Sequence, residues 1–330
     1  MRFGAFVPQG WRLDLVGLDQ AKHWETMTSV AKVIEASGYE SLWVYDHFHT
    51  VPVPTQEVTY EAWTLMSALA AVTDTVRLGQ MCTCNSYRPP GYLAKVASSI
   101  DVISGGRVEM GIGAGWYEHE YTGYGYDFDK PSIRIGRLRE AVEIMQALWT
   151  EDEVSYDGKH YQLDGAICQP KPVQDPHIPL WIAGGGEQLT LNVAARNAQY
   201  TNFGGASPEE FTHKSEVLKG HCDDVGRPFE EITRSVNFNV ICAETEAEVQ
   251  EGLERAMAHF VPFVGEDRAE KMLEGNYLKQ GTAGTPEQLV DALSKWGDAG
   301  MEYAIVYFPD AAYDTTSLEL FARTVIPEMS

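Results

Sequence analysis

The chain has 330 residues, 44% of them hydrophobic, and a formal net charge of −23. That charge argues against bulk nucleic acid and anionic membrane surfaces as partners, because both select basic patches, and it weakens the case for a highly anionic substrate. No stretch approaches the roughly 18 apolar residues of a membrane span, and five cysteines, an odd number, build no disulfide framework, so a reducing cytoplasm is the expected compartment.

Arg2 to Pro8 is an apolar run closed by proline, the pattern of a first strand buried on both faces. Trp24, Met27, Val30, Ala31 and Ile34 fit one face of a helix that Ser37-Gly38 ends. Ser41 to Tyr45 reads as the second strand, leading into Asp46-His47-Phe48-His49, and Tyr60 to Val72 as the second helix. Val76 to Cys82 is a third strand that breaks into a loop from Thr83 to Pro90, whose two prolines forbid further ladder donation. Ala94, Val96, Ala97, Ile100 and Ile103 recur at helical spacing until Ser104-Gly105-Gly106. Arg107 to Met110 then runs straight into Gly111-Ile112-Gly113-Ala114-Gly115. Strand, helix, strand over about 40 residues is a βαβ unit, which needs a right-handed crossover and a parallel sheet.

Ser132 to Trp149 is an amphipathic helix with Arg134, Arg137 and Arg139 off its apolar stripe. Glu153 to Leu163 alternates around Asp157-Gly158, a hairpin signal. Leu180 to Ala183 is strand five, followed by Gly184-Gly185-Gly186 and a helix from Glu187 to Asn197. Tyr200 to Phe203 is strand six, a helix runs from Pro208 towards Val225, and Ile232 to Cys242 is strand seven. Thr245 with Glu248 forms a capping-box pattern for the next helix. His259 to Thr282 carries no readable regular pattern; a helix starts at Thr285-Pro286, Glu302 to Phe308 is strand eight, and a closing helix spans about Thr315 to Val325. Eight strands alternating with about eight helices is the (β/α)8 TIM-barrel pattern. The expectation is one domain over residues 1–330, with a hairpin insertion at about 151–178 and an irregular insertion at about 259–284.

In such folds the site lies at the carboxyl ends of the strands, which focuses attention on four stretches. Gly111-x-Gly113-x-Gly115 fails the dinucleotide fingerprint, whose third glycine falls three residues after the second, at Trp116; it is either a tight turn or a place where a ligand approaches the backbone. Gly184-Gly185-Gly186 before a helix is either an ordinary βα turn or a phosphate cradle. Asp46-His47 puts a carboxylate beside the side chain that titrates near neutrality. Glu118, His119 and Glu120 read as a solvated turn. Cys82 and Cys84 lack the partners and spacing of a zinc site, so no metal is expected.

Trp43-Val44-Tyr45-Asp46-His47-Phe48, the run from Gly79 to Pro90, Ile103-Ser104-Gly105-Gly106-Arg107 leading to Gly111–Trp116, and Trp181-Ile182-Ala183-Gly184-Gly185-Gly186 resemble the bacterial luciferase-like superfamily, and within it the branch that uses the 8-hydroxy-5-deazaflavin, coenzyme F420. The resemblance spans the chain with the motifs in order. It implies a TIM barrel with insertions and a coenzyme ring at the carboxyl ends of the strands. Asp46 and His47 would lie by the ring, His47 as the acid/base or stabilising group. Met81-Cys82 would carry a non-prolyl cis peptide behind the ring, Cys84 and Asn85 would line its edge, Gly113 and Gly115 would pass close to it, and Gly184, Gly185 and Gly186 would hold its phosphate. It also implies a homodimer and a small-molecule substrate. The branch's sugar-phosphate dehydrogenases place a glutamate where this chain has Trp116, and the stretch from Thr201 to Ser207 holds no lysine. Trp116 therefore points to a flatter, more apolar substrate pocket than a sugar phosphate needs. Arg88 is the expected basic group for the anionic coenzyme at the mouth. The resemblance thus implies hydride transfer between deazaflavin C5 and a small organic substrate; an FMN-dependent monooxygenase of the same fold and a non-catalytic coenzyme-binding protein are the alternatives.

Overall fold

The computed structural model describes residues 1–203 and 207–329. Eight parallel strands run β1 (Arg2–Phe6), β2 (Ser41–Val44), β3 (Arg77–Gln80), β4 (Val108–Gly113), β5 (Leu180–Ala183), β6 (Tyr200–Asn202), β7 (Thr233–Asn239) and β8 (Tyr303–Tyr307). Each pairs with its neighbours in this order. β8 returns to β1, with Tyr303 opposite Arg2, so the sheet closes into a (β/α)8 TIM barrel.

Around it lie α1 (His23–Ala36), α2 (Ala62–Ala70), α3 (Pro90–Ser104), α4 (Glu118–Tyr124), α5 (Pro131–Thr150), α6 (Thr190–Asn197), α7 (Pro208–Val225), α8 (Glu246–Val264), α9 (Glu266–Leu273), α10 (Pro286–Asp298) and α11 (Thr316–Met329). Proline opens α3, α5, α7 and α10, where its missing N–H costs no helical bond. Thr245 and Glu248 form the capping box their spacing predicts. Outward-facing strand residues such as Leu42, Leu78, Met110 and Ala304 pack against the helices in one continuous apolar layer.

Inward-facing residues fill the barrel. Trp43 lies across the axis because Gly4 and Gly79 leave it room; a Cβ on either would collide with the indole. Trp181 meets it edge-on at 4.7 Å and stacks on Tyr200 at 4.1 Å. The amino-terminal end is closed by polar pairs. Glu109 pairs with Arg77 and accepts the Trp181 Nε1–H at 2.6 Å. Ser41 Oγ accepts the Trp43 Nε1–H at 2.5 Å and bonds the Tyr303 hydroxyl at 2.6 Å.

The expected hairpin is present, Val154–Asp157 against Gln162–Ala166, and the Glu140 carboxylate ties it to α5 by accepting from the backbone N–H groups of Lys159, His160 and Tyr161. The expected irregular insertion at 259–284 is instead mostly helical. It holds the end of α8, all of α9 and a π-helical turn at Glu274–Leu278. Pro262 inside α8 and Gly265 between the helices break the sequence pattern, yet Ala256, Phe260, Leu273 and Tyr277 form one apolar cluster with Leu13 and Ile241. No helix among the described residues is long and apolar enough to cross a membrane.

Candidate functional site

The carboxyl end of the barrel opens into a cavity of about 490 Å³. Its floor comes from the last inward residues of the strands, and its walls from the loops that follow β1, β2, β3, β4 and β5. Buried Gln9 fixes the first two loops to each other. Its amide donates to the carbonyl oxygens of Tyr45 and Tyr60, both at 2.6 Å, and its oxygen accepts the Tyr45 N–H at 2.7 Å.

Asp46 and His47 both line the cavity, with different environments. The Asp46 carboxylate is buried; it accepts the Cys84 N–H at 2.8 Å and both ends of the Arg88 guanidinium, at 2.7 and 2.9 Å. Arg88 also pairs with Glu61 and is only 11% exposed. Arg88 is therefore not the free cation at the mouth that the sequence suggests. A buried carboxylate demands a partner, and Arg88 supplies it, clamping the loop after β3 onto the end of β2. Burial works against the charge on Arg88, but Asp46 and Glu61 outweigh it and hold the guanidinium charged.

His47, 12% exposed, stacks face to face on Trp11 with centroids 4.2 Å apart and 2° between planes. Its Nδ1 lies 2.8 Å from Glu120 Oε2. An ionised carboxylate only accepts, so Nδ1 carries the hydrogen and Nε2 is left for exchange. Glu120 is not part of the solvated turn its sequence suggests: α4 buries it. It accepts from the N–H groups of Phe48 and His49 at 2.6 and 2.9 Å and from the Tyr87 hydroxyl at 2.8 Å. Burial pushes this carboxyl up, but the bonds from His47, His49 and Tyr87 prevail and hold it below the usual range. Glu118 and His119, two and one residues before it, do face solvent.

The peptide between Met81 and Cys82 is cis, and both side chains line the cavity. Cys84 lines it too, its Sγ 3.1 Å from the Tyr121 hydroxyl. Burial raises both thiols, Cys84 to about 12, so neither is a ready thiolate. Asn85 stands apart from the expectation. Its side chain is buried outside the cavity wall, donating to the Tyr161 hydroxyl at 3.3 Å. Gly113, Gly115 and Gly184 are in the wall; a Cβ on Gly113 would lie 2.8 Å from Cys82 Sγ, and one on Gly115 2.6 Å from Cys84 Sγ. Gly185 and Gly186 lie beyond the wall, because the chain makes a turn at residues 187–189 and α6 begins at Thr190 rather than Glu187. Thr190, at the first turn of α6, lines the cavity in their place. Trp116 is 61% exposed at the mouth, stacked on Tyr117 and edge-on to His47. Of the lysine-free stretch from Thr201 to Ser207, residues 204–206 lie outside the described residues.

Sequence reasoning missed Trp11, Arg12, Glu120 and Arg134. The first two sit in a loop without periodicity. Arg134, off the α5 stripe, is nonetheless buried; it donates to the carbonyls of Asp129 and Gly115 and lies 4.2 Å from the Phe128 ring centroid. The volume is in the range of cofactor sites. Gly113, Gly115 and Gly184 present bare backbone, and Trp11 Nε1 is a buried donor without a hydrogen-bond partner among the described residues. A flat ring system with polar edges fits these walls.

A family model described as luciferase-like monooxygenase matches residues 1–303. An F420-dependent glucose-6-phosphate dehydrogenase of Nocardia farcinica is 28% identical over 321 residues, 92% of this chain and 93% of that protein. Pyrimidine monooxygenase RutA of Stutzerimonas stutzeri is 29% identical over 257 residues, 74% of this chain and 69% of that protein. With mycobacterial relatives that are 32% identical over 189 residues, the match spans 52% of this chain and 65% of the relatives' length. A solved F420-dependent secondary alcohol dehydrogenase superposes with a TM-score of 0.79 at 19% identity, covering 100% of this chain and 99% of that one. The chain belongs to the luciferase-like monooxygenase family.

Proposed function

We propose that the chain is an oxidoreductase that uses coenzyme F420 to move a hydride equivalent to or from a small organic substrate. The observation that carries this reading is His47, held by Glu120 through Nδ1 and stacked on Trp11 in the cavity wall. The deazaflavin ring, when bound, supplies two-electron hydride chemistry at C5. Gly113, Gly115 and Gly184 would let that ring approach the backbone, with Met81 and Cys82 against it, and the first turn of α6 at Thr190 would favour the phosphate. His47 Nε2 gives or takes the proton that accompanies the hydride at the substrate. Glu120 keeps the tautomer and stabilises the charged imidazole. Trp11, Trp116 and Tyr117 wall off water and favour a flat substrate.

A monooxygenase with FMN in the same cavity is the second reading. It draws on the RutA relative and on glycine walls that accept either tricyclic ring. Parallel titrations of the apo protein with F420 and with FMN, following quenching of each fluorophore, separate the two. The proposal expects F420 to bind at least tenfold more tightly. A preference for FMN overturns it and directs the next assay to oxygen consumption. Tight F420 binding without turnover of any alcohol, enone, imine or nitro compound would favour a coenzyme-binding protein.

A further inference from the structure

The loop after β1 carries a second chemical signal. Leu13 is the one residue other than glycine with a positive φ, 64°, among the described residues, a left-handed conformation that ordinary side chains seldom adopt. The surroundings enforce it. Gly10 O accepts the Leu13 N–H at 2.9 Å, Asp14 Oδ1 accepts the Gly10 N–H at 2.6 Å, and the Leu13 side chain is buried against the cluster of Ile241, Ala256 and Phe260. This reversal sends Trp11 onto His47 and Arg12 into the same cavity.

Arg12 is placed unlike the other arginines of the barrel. Arg2, Arg77 and Arg88 each pair with a carboxylate, but Arg12 forms no ion pair among the described residues. Its guanidinium carbon lies 4.4 Å from the Tyr307 ring centroid and 5.9 Å from that of Trp11. Asp14, two residues on, is directed to Gly10 N–H and to the Tyr307 hydroxyl at 3.3 Å. Arg134, the other arginine in the wall, is committed to two carbonyls. Arg12 thus lines the cavity without a salt bridge: it shares a hydrogen bond with the Tyr45 phenol, has the Asp14 charge nearby and lies partly desolvated over aromatic rings, so the rest of its planar fork is the cationic group of the wall that can take a carboxylate with parallel hydrogen bonds. It stands on the β1 side of the mouth, across the barrel from Gly184 and Thr190 after β5.

We infer that Arg12 is the specificity residue of this site and that it binds a carboxylate carried by a flat substrate lying against Trp11 and Trp116 beside His47. The inference rests on the functional reading above and adds the substrate's charge to it.

Calorimetric titration with benzoate, cinnamate and crotonate, each against its own amide, tests the inference on the full chain with and without F420. At least one acid is expected to bind wild type tenfold or more tightly than its amide. Arg12→Gln should erase that preference while leaving F420 affinity within twofold, and Arg12→Lys should retain part of it. Near-UV circular dichroism checks that both variants are folded. The inference is overturned if every acid binds no better than its amide, if Arg12→Gln keeps the preference, if inorganic phosphate binds as tightly as the best acid, or if Arg12→Gln weakens F420 tenfold. Failure of wild type to bind F420 would sink the coenzyme reading alone; an acid preference that depends on Arg12 would still support this assignment.

Discussion

The two ends of this barrel are built from the same residue types and put them to opposite uses. At the amino-terminal end, indole, phenol, guanidinium and carboxylate satisfy one another: Trp181 on Glu109, Glu109 on Arg77, Trp43 on Ser41, Ser41 on Tyr303. At the carboxyl end, among the described residues, the Trp11 indole N–H and the Asn239 side-chain amide oxygen have no hydrogen-bond partner and Arg12 forms no salt bridge. These inward-facing groups of the amino-terminal end satisfy one another, whereas in the cavity paired groups such as Asp46 with Arg88 and His47 with Glu120 stand beside a few left for a ligand.

Substitutions at the two ends should therefore separate stability from chemistry. The largest effect on turnover belongs to His47→Ala. It should cost about 10²–10⁴ in kcat, the usual contribution of a placed acid/base group, with F420 affinity little changed; steady-state kinetics beside the fluorescence titration reads both. Next comes Arg88→Met, which strands the Asp46 carboxylate in the interior. A loss of about 3–5 kcal/mol in urea unfolding is expected, and an unchanged midpoint would mean that the clamp between β2 and the loop after β3 is dispensable.

Glu109→Gln and Glu120→Gln should each cost about 1–3 kcal/mol but with opposite pH dependence. Burial raises the Glu109 carboxyl despite Arg77. Its contribution is fully present below the ordinary carboxylate range and is lost as pH rises through the raised value, so the Glu109→Gln deficit should be largest in acid and shrink towards neutrality. The Glu120 carboxyl is held low. Its contribution is present above the ordinary range and is lost as pH falls through the depressed value, so the Glu120→Gln deficit should be largest near neutrality. Parallel slopes in urea series across pH would break the contrast between the ends. The smallest effect on stability is expected from Trp116→Ala, within about 0.5 kcal/mol as for exposed positions, accompanied by a rise in KM for flat substrates.

Much of the fold was legible because the parallel strands are short apolar runs bounded by glycine, proline or polar loops, and the helices carry capping residues where they begin. Residues 259–284 were not, since Pro262 and Gly265 read as loop punctuation while the apolar face of α8 and α9 does its packing against Leu13, far away in sequence. Asp46, His47, Met81, Cys82, Cys84, Gly113, Gly115, Gly184 and Trp116 line one cavity, residues that the family resemblance singled out at the strand ends. Asn85, Gly185 and Gly186 do not, because a side chain or turn one or two residues past a strand end can already point away from the axis. Glu120 and Arg12 were hidden for a different reason: each depends on a local chain reversal, a seven-residue helix in one case and a left-handed leucine in the other, that periodicity does not register.

The indoles of Trp43 and Trp181 have a consequence of their own. Held 4.7 Å apart at 70° and shut away from solvent, they form a pair of coupled chromophores on two non-adjacent strands whose side chains meet only inside the closed barrel. The exciton couplet expected from their strong far-ultraviolet indole transitions is an optical signature of ring closure, carried by the native chain without a label and indifferent to what enters the opposite end.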